Sequence, residues 1–557
     1  MEMGEQERGN HNTSSQPASH FDQCNSGPVS PGGQEAPGAH SRASRRRTPR
    51  RAIATYHVCD RLTEAVLLFV VVFNPWVFGT TQDWSIRLMN IAGYLLGGLL
   101  AIKWLVRLAT GYCPARWPQS QRQSASTGSR WLTGAMAVLT ILFLGYVLAS
   151  AINARAVFHV ERLEFEYFSY VPWLPHSYDR SATWFEFWEY LGLACVFWAA
   201  RDWLGGMTPE ELESNERAAR HSSSSSSSAS TAPTRSWRHR AGVTRMPFRL
   251  RRLLLVLCLT GSLAAVEGIV QRLAGSNKLL FLVQPRINTT AESQFGPYAY
   301  RTNAAEYFNL LWPVCAGLAF LLAQAANRDR QEGLRRRGNA QLWLAGGAVL
   351  MGACPLIASS RGGTLIAAGM LPVVLVVILT IPRGGTTGSK VGLGLLFAVA
   401  IQVAVVLGWD ALEPRFENAL VDDLGGRLGA YKNAQGMARD YALFGSGAGT
   451  FASMYWLYLT GSDTEWFAYL HNDWLEWRIT LGWIGFSLLL ALLAGTLARW
   501  FPGGGVPLPG LLAALIWLAM AGCLVHARFD FPFRVHSIAT VFLLYCSVLS
   551  CSSRLRK

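Results

Sequence analysis

Long apolar runs recur along this chain with short polar stretches between them, and no other feature limits its fold as strongly. The runs lie at 62–79, 86–106, 131–152, 184–204, 253–274, 304–326, 341–358, 364–381, 391–409, 474–498, 510–527 and 536–551. Most approach the roughly 20 apolar residues a helix needs to cross a hydrocarbon core. Inside lipid only helices and closed barrels satisfy their own backbone. These runs are too long and too uniformly apolar for barrel strands. The expected fold is therefore all-α: a polytopic transmembrane helical bundle of about 12 spans. Composition agrees, with 51% hydrophobic and only 15% charged residues, against about 25% charged in soluble proteins.

The formal net charge is +15, and its placement decides what it means. Arg107, Arg116, Arg122 and Arg130 lie in one inter-run segment, and 205–252 is basic around a Ser222–Ser228 run. Arg328, Arg330, Arg335, Arg336 and Arg337 share the next such loop, and the chain ends Arg554-Leu555-Arg556-Lys557. With twelve spans all of these fall on one side, together with a tail ending in Arg45, Arg46, Arg47, Arg50 and Arg51. The positive-inside rule makes that side cytoplasmic, with both termini on it. Residues 1–55 read as a disordered basic cytoplasmic tail facing membrane lipids, 56–557 as the membrane domain, and 205–252 as a flexible cytoplasmic linker. No apolar segment follows the first residues, so the tail is not read as a signal peptide. Nucleic-acid binding would need a basic face or stripe, which loop-confined arginines do not supply. The scattered cysteines contain no CxxC and no paired spacing across an outer loop, so neither a disulfide framework nor a zinc site is expected; no cofactor is expected.

The opposite loops are 153–183, 275–303, 359–363, 410–470 and 528–535. They are rich in aromatics and carry both charge signs. Trp173, Tyr167, Tyr170 and Tyr178 in the first, with Trp184 just after it, fit interface anchors as well as a working surface. The 410–470 segment, between spans 9 and 10, is the largest insertion; long loops of this kind are usually functional. A short helix is expected around Arg427–Asp440.

Chemistry gathers on the same side. His471 opens the run His471-Asn472-Asp473-Trp474-Leu475-Glu476-Trp477-Arg478, where the long loop meets the next span. A histidine at a membrane–water boundary exchanges a proton near neutral pH, as a general base must. On position alone it reads more readily as a polar helix cap. Helical spacing would put Leu475 and Arg478 on its face. Arg361 sits in Ser359-Ser360-Arg361-Gly362-Gly363 between two apolar runs; an arginine this deep usually marks a site. Arg301 precedes a span, and Arg427 follows Gly425-Gly426. Arginines facing one pocket would suit a diphosphate, since guanidinium matches phosphate oxygens bidentately. Singly, each also reads as a snorkelling interface residue.

Five segments in order resemble the O-antigen ligase/O-antigen polymerase superfamily, over roughly residues 290 to 550. They are Arg301 to Pro313, Ser360-Arg361-Gly362, Arg427 to Gly449 with Asp440 and Phe444-Gly445-Ser446-Gly447-Ala448-Gly449, His471-Asn472 through Gly482 and Gly485, and Asp530-Phe531-Pro532. The resemblance implies an inner-membrane glycosyltransferase that takes a glycan from undecaprenyl diphosphate on the periplasmic face. The acceptor is a lipid or glycan hydroxyl. No metal is required. The residue matched by His471 would activate the acceptor, those matched by Arg361, Arg301 and Arg427 would hold the diphosphate, and Asp473, Glu476, Arg478 and Asp530 would support them. The sequence departs from the family at Thr480, where many members carry Glu; Asp473 or Glu476 would then orient the histidine. Tyr441-Ala442-Leu443-Phe444 lacks the usual proline. Two other readings are a protein O-oligosaccharyltransferase and a polysaccharide or lipid transporter, the latter resting on Glu267 and Glu306 in or near spans. A transporter would want a charged path and repeat symmetry, and neither is visible.

Overall fold

The structure, a computed structural model, describes residues 50–117, 123–224, 246–331, 339–380, 387–417, 427–459, 467–499 and 506–554. Each of the apolar runs falls on a helix. In chain order the helices are α1 Arg50–Trp76, α2 Asp83–Thr110, α3 Gln123–Ile152, α4 Arg180–Leu204, α5 Pro209–Ser224, α6 Phe248–Leu273, α7 Arg301–Gln331, α8 Ala340–Ile357, α9 Arg361–Leu379 and α10 Thr387–Glu417. They continue with α11 Arg427–Asp440, α12 Phe451–Tyr455, α13 Asp473–Arg499, α14 Gly510–His526 and α15 His536–Cys551. The helix expected in the long loop is α11. Two small sheets complete the fold. β1 (Ala156–His159) and β2 (Glu164–Tyr167) form an antiparallel hairpin with Ala156 opposite Tyr167, and β3 (Val506–Leu508) runs parallel to β4 (Ser552–Arg554).

Among the described residues, seven helices are long and apolar enough to cross a membrane: α2, Arg130–Ile152 of α3, α6, Arg301–Asn327 of α7, α8, α9 and α13. α14 and α15 are apolar but shorter. The chain is thus a multi-pass α-helical membrane protein, with seven such helices against the twelve spans expected. α1 and α4 fall outside that set; the helices carry Asp60, Arg61 and Glu64 in one, and Glu186, Glu189, Arg201 and Asp202 in the other. Two segment boundaries also shift. Helix α1 begins at Arg50, inside the expected tail, and α5 occupies part of the expected 205–252 linker. The rest of the tail before residue 50, and 225–245 of the linker, lie outside the described residues.

Helix α7 is the axis of the bundle. Its apolar window is 78% buried, against 22% for α9 and α13. Tyr307, Phe308 and Trp312 are enclosed on it by neighbours from α6, α8, α14 and α15. A helix enclosed on most sides is a core helix, so the first residues of α7 are held where its neighbours put them.

The two ends of the bundle differ in chemistry. At one end, fully buried Lys103 lies 2.8 Å from Asp202 and 3.2 Å from Asp60. Arg107 and Arg116 also pair with Asp202, and Arg249 with Asp60 at 2.5 Å. This network ties α1, α2, α4 and α6 together and joins the loops after α2 and α4. At the other end the aromatic loops meet. The amide of Tyr178 donates to the Ser446 carbonyl at 2.9 Å, and the Thr183 hydroxyl to the Ala448 carbonyl at 2.9 Å.

Helix α13 is broken at Gly482 (φ 61°, ψ −174°). In lipid such a break is tolerated only if other protein groups satisfy the freed backbone. Here the 442–447 loop does so. The amides of Ser446 and Gly447 donate to the Ile479 and Thr480 carbonyls at 3.0 and 2.9 Å. The amides of Trp483 and Ile484 donate to the Ala442 and Leu443 carbonyls at 2.9 and 3.3 Å. The Tyr146 hydroxyl bridges the Phe444 and Leu481 carbonyls. Gly445 and Gly482 are therefore one feature, a close crossing of two backbones.

Candidate functional site

Four helices begin where the aromatic loops converge, and each brings a polar residue of the expected set. Arg301 is the first residue of α7, Arg361 of α9, Arg427 of α11, and His471 stands two residues before α13. Exposed helix amides attract anions. A cavity of about 690 Å³ opens there, walled by Arg301, Arg361, Arg415, Arg427, His526 and Asp530. The three arginines chosen from the sequence thus share one cavity.

Each is held differently. The Arg361 side chain donates to the Arg415 carbonyl at 2.9 Å. Its turn is stabilised by Ser360, whose hydroxyl accepts from the Gly363 amide and caps α9. A Cβ at Gly363 would stand 2.5 Å from the Ala305 side chain, so the turn packs directly on α7. Arg301 donates to the Glu292 carbonyl at 2.9 Å. Arg427 donates to the Phe529 carbonyl at 2.6 Å and to the Tyr300 hydroxyl at 3.2 Å, and lies 3.7 Å from Asp530. These bonds leave other guanidinium N–H groups of each arginine to face the cavity.

His471 does not itself line the cavity; it reaches it through Asp530, Tyr300 and Tyr431, which do, and it adopts a left-handed conformation (φ 55°) outside helix α13. Its Nδ1 lies 2.9 Å from Asp530 Oδ1, and its carbonyl accepts from the Tyr431 hydroxyl at 2.7 Å. Its ring meets Phe531 at 4.7 Å and Tyr300 at 6.1 Å between centroids. Asp530 is 3% exposed. Burial alone would raise its carboxyl pKa, but the hydrogen bond and charge of His471, with the charge of Arg427, outweigh that and hold it below the usual carboxylate range. An ionised Asp530 accepts from Nδ1–H, which fixes the tautomer that leaves Nε2 as an acceptor. Burial and the nearby Asp530 push Tyr300 up to about 12, against the opposing Arg427 charge, so it remains a hydroxyl donor.

The geometry changes three expectations. His471 is not the helix cap: Asn472 is, its side-chain oxygen accepting from the Leu475 amide at 3.2 Å. Arg478 does not lie under the histidine. It donates to the Ala442 carbonyl at 3.2 Å and stacks 4.0 Å over Trp483, because His471 has left the helix that would align them. The histidine is oriented by Asp530 rather than by Asp473 or Glu476. Asp473 accepts from the Phe533 amide at 2.9 Å, and Glu476 accepts from the Leu470 amide at 2.9 Å and pairs with Arg534 at 2.7 Å. Both shape the loops that carry His471 and Asp530 without touching the ring. Thr480 donates to the Glu476 carbonyl at 2.8 Å and lends its own carbonyl to the Gly447 amide, so its position serves the helix break.

Sequence reasoning missed Arg415, Tyr300, Tyr431 and His526. Arg415 follows Pro414 at the foot of an apolar run and reads as an ordinary interface residue. His526 is enclosed at the end of α14 and pairs with Glu306 of α7. That pairing occupies one of the two carboxylates on which a transport reading rests.

The multi-pass helical fold thus gathers helix N-termini and arginines around one cavity and sets an Asp-held histidine near it. Residues 346–490 match the family model described as O-antigen ligase, which supports the resemblance of the motifs to the O-antigen ligase/polymerase superfamily. The match includes Arg361, Arg427 and His471. Arg301 and Asp530 lie outside it and are joined to the site by the fold. No curated protein matches the chain.

Proposed function

We propose that this protein transfers a glycan from undecaprenyl diphosphate to an acceptor hydroxyl at the periplasmic face of the inner membrane. The observation that carries this reading is the His471–Asp530 pair, whose Asp530 lines the cavity walled by arginines. Nε2 of His471 takes the acceptor proton as the oxygen bonds to the anomeric carbon. The bond from that carbon to the diphosphate oxygen breaks, and its electron pair leaves with the diphosphate. Arg361, Arg301 and Arg427 meet the negative charge that grows there, with the N-termini of α7, α9 and α11 adding to the field. Direct displacement inverts the anomeric centre.

The test is a reconstituted assay with lipid-linked glycan. Arg361→Ala is expected to lower transfer by about 10²-fold, the effect of removing one donor from a developing anion. Arg361→Lys should recover only part, because a point charge does not reproduce a planar fork. Transfer by Arg361→Ala at the unmodified rate would overturn the assignment. The membrane sidedness is tested separately by reporter fusions after residues 220 and 440. They should report opposite compartments, the second periplasmic; both reporting one side would overturn the topology.

A further inference from the structure

A second cavity, of about 260 Å³, lies between α3, α4, α13, α14 and α15, apart from the arginine cavity. Its body is apolar, with Met136, Phe143, Phe197, Leu493 and Phe542 on its walls. One end is charged. Glu186 and Glu189 from α4 line it, and Arg534 is the guanidinium beside them.

That end is short of positive charge. Arg534 is committed on both sides, to Glu186 and, at 2.7 Å, to Glu476. Its side chain is 7% exposed, so this is a buried pair whose partners satisfy each other. Glu189 is left over. It is 7% exposed, lines the cavity, and has no hydrogen bond or ion pair among the described residues. A buried carboxyl without a partner is costly, and a ligand can supply the missing cation. The apolar wall behind it sets what the rest of the ligand must be.

We propose that this cavity is a lipid-binding site for an aliphatic chain ending in an ammonium group, with the ammonium against Glu189 and the chain between α3, α13 and α15. The cavity is linked to the histidine through two aromatic rings. Tyr469 lines it and packs on Phe531 at 4.9 Å, and Phe531 packs on His471 at 4.7 Å and stacks on Tyr300 at 5.7 Å. Tyr300 lines the arginine cavity. One aromatic row therefore separates a cation-rich cavity from an acid-headed one, with His471 on its edge. The site stands on its own charge pattern and does not require the transferase reading.

The experiment uses the full-length protein in detergent, with diazirine-bearing hexadecylamine as the probe and matched hexadecanol and hexadecanoic acid as controls. Labelled residues are mapped by mass spectrometry. The amine should label cavity residues of α3, α13 and α15 about tenfold more than the acid, the ratio that roughly 1.4 kcal/mol of charge preference gives. Glu189→Gln should bring the amine down to the level of the alcohol, and Leu493→Trp, which fills the cavity, should remove labelling by all three. Equal labelling by amine and acid in the unmodified protein would overturn the proposal without recourse to any variant. So would amine labelling that Glu189→Gln leaves unchanged.

Discussion

His471→Ala is expected to reduce glycan transfer by about 10³-fold, the middle of the range for a positioned general base. Binding of the lipid-linked donor should stay within about twofold, because the arginine cavity keeps all its cations and base loss acts on the chemical step. The split between the two readouts separates a base from a structural histidine. Asp530→Asn keeps the shape of the pair but removes the charge that fixes the imidazole tautomer and balances Arg427. Transfer should fall by about 10²-fold or more, as for the orienting carboxylate of other His–carboxylate pairs. The same variant has a pH signature in stability. The folded Asp530 carboxyl is held below its usual value, so its stabilising contribution is complete above the unfolded carboxylate pKa of about 3.9 and is lost as pH falls through the lower folded value. The unfolding temperature of Asp530→Asn should therefore lie below that of the unmodified protein at pH 7 and approach it in strong acid. A His471→Ala protein that transfers glycan within about tenfold of normal would move the base elsewhere.

The bundle was legible because apolar length is a one-dimensional property, and each run from 62–79 to 536–551 falls on a helix. The count of membrane-crossing helices was less so. Charged residues such as Glu186, Glu189 and Asp202 sit inside runs that sequence scanning smooths over, and only the fold shows them paired or walled in. Arg301, Arg361 and Arg427 could be chosen because each stands at the start of a helix in a turn-forming setting. Their convergence could not be read, since it depends on how α7, α9 and α11 pack. The partner of His471 was misjudged for a related reason. Asp473 and Glu476 are its neighbours in sequence, but its left-handed turn aims the ring away from α13 and towards Asp530, 59 residues on. Thr480, a departure from the family pattern, works at the helix break, which no local pattern at that residue announces.

Gly482→Ala should be the most damaging small substitution outside the site. The backbone there (φ 61°, ψ −174°) lies in a region that glycine alone adopts without strain. An added Cβ would stand 2.3 Å from the Leu443 carbonyl oxygen and 2.4 Å from the Gly445 amide nitrogen, both main-chain atoms that cannot rotate away. Gly445 faces it reciprocally, its own Cβ position lying 2.3 Å from the Thr480 carbonyl oxygen. Backbone strain of about 1–3 kcal/mol and overpacking of about 1–3 kcal/mol act together. Separating the strands would also free the Ile479, Thr480 and Leu481 carbonyls at a break with no other described partners. Gly482→Ala and Gly445→Ala should each lower the unfolding temperature in detergent by many degrees and reduce the folded yield. Gly98→Ala and Gly369→Ala are the controls, since nothing lies within 4 Å of their Cβ positions and both sit within helices. Replacing a helical glycine by alanine there should be neutral or stabilising by about 0.5–1 kcal/mol. Because 442–447 is continuous with α11, which carries Arg427, loosening the crossing should also lower transfer in whatever folded fraction survives. If Gly482→Ala melts with the controls, the two backbones do not cross as closely as the 442–447 loop and α13 require.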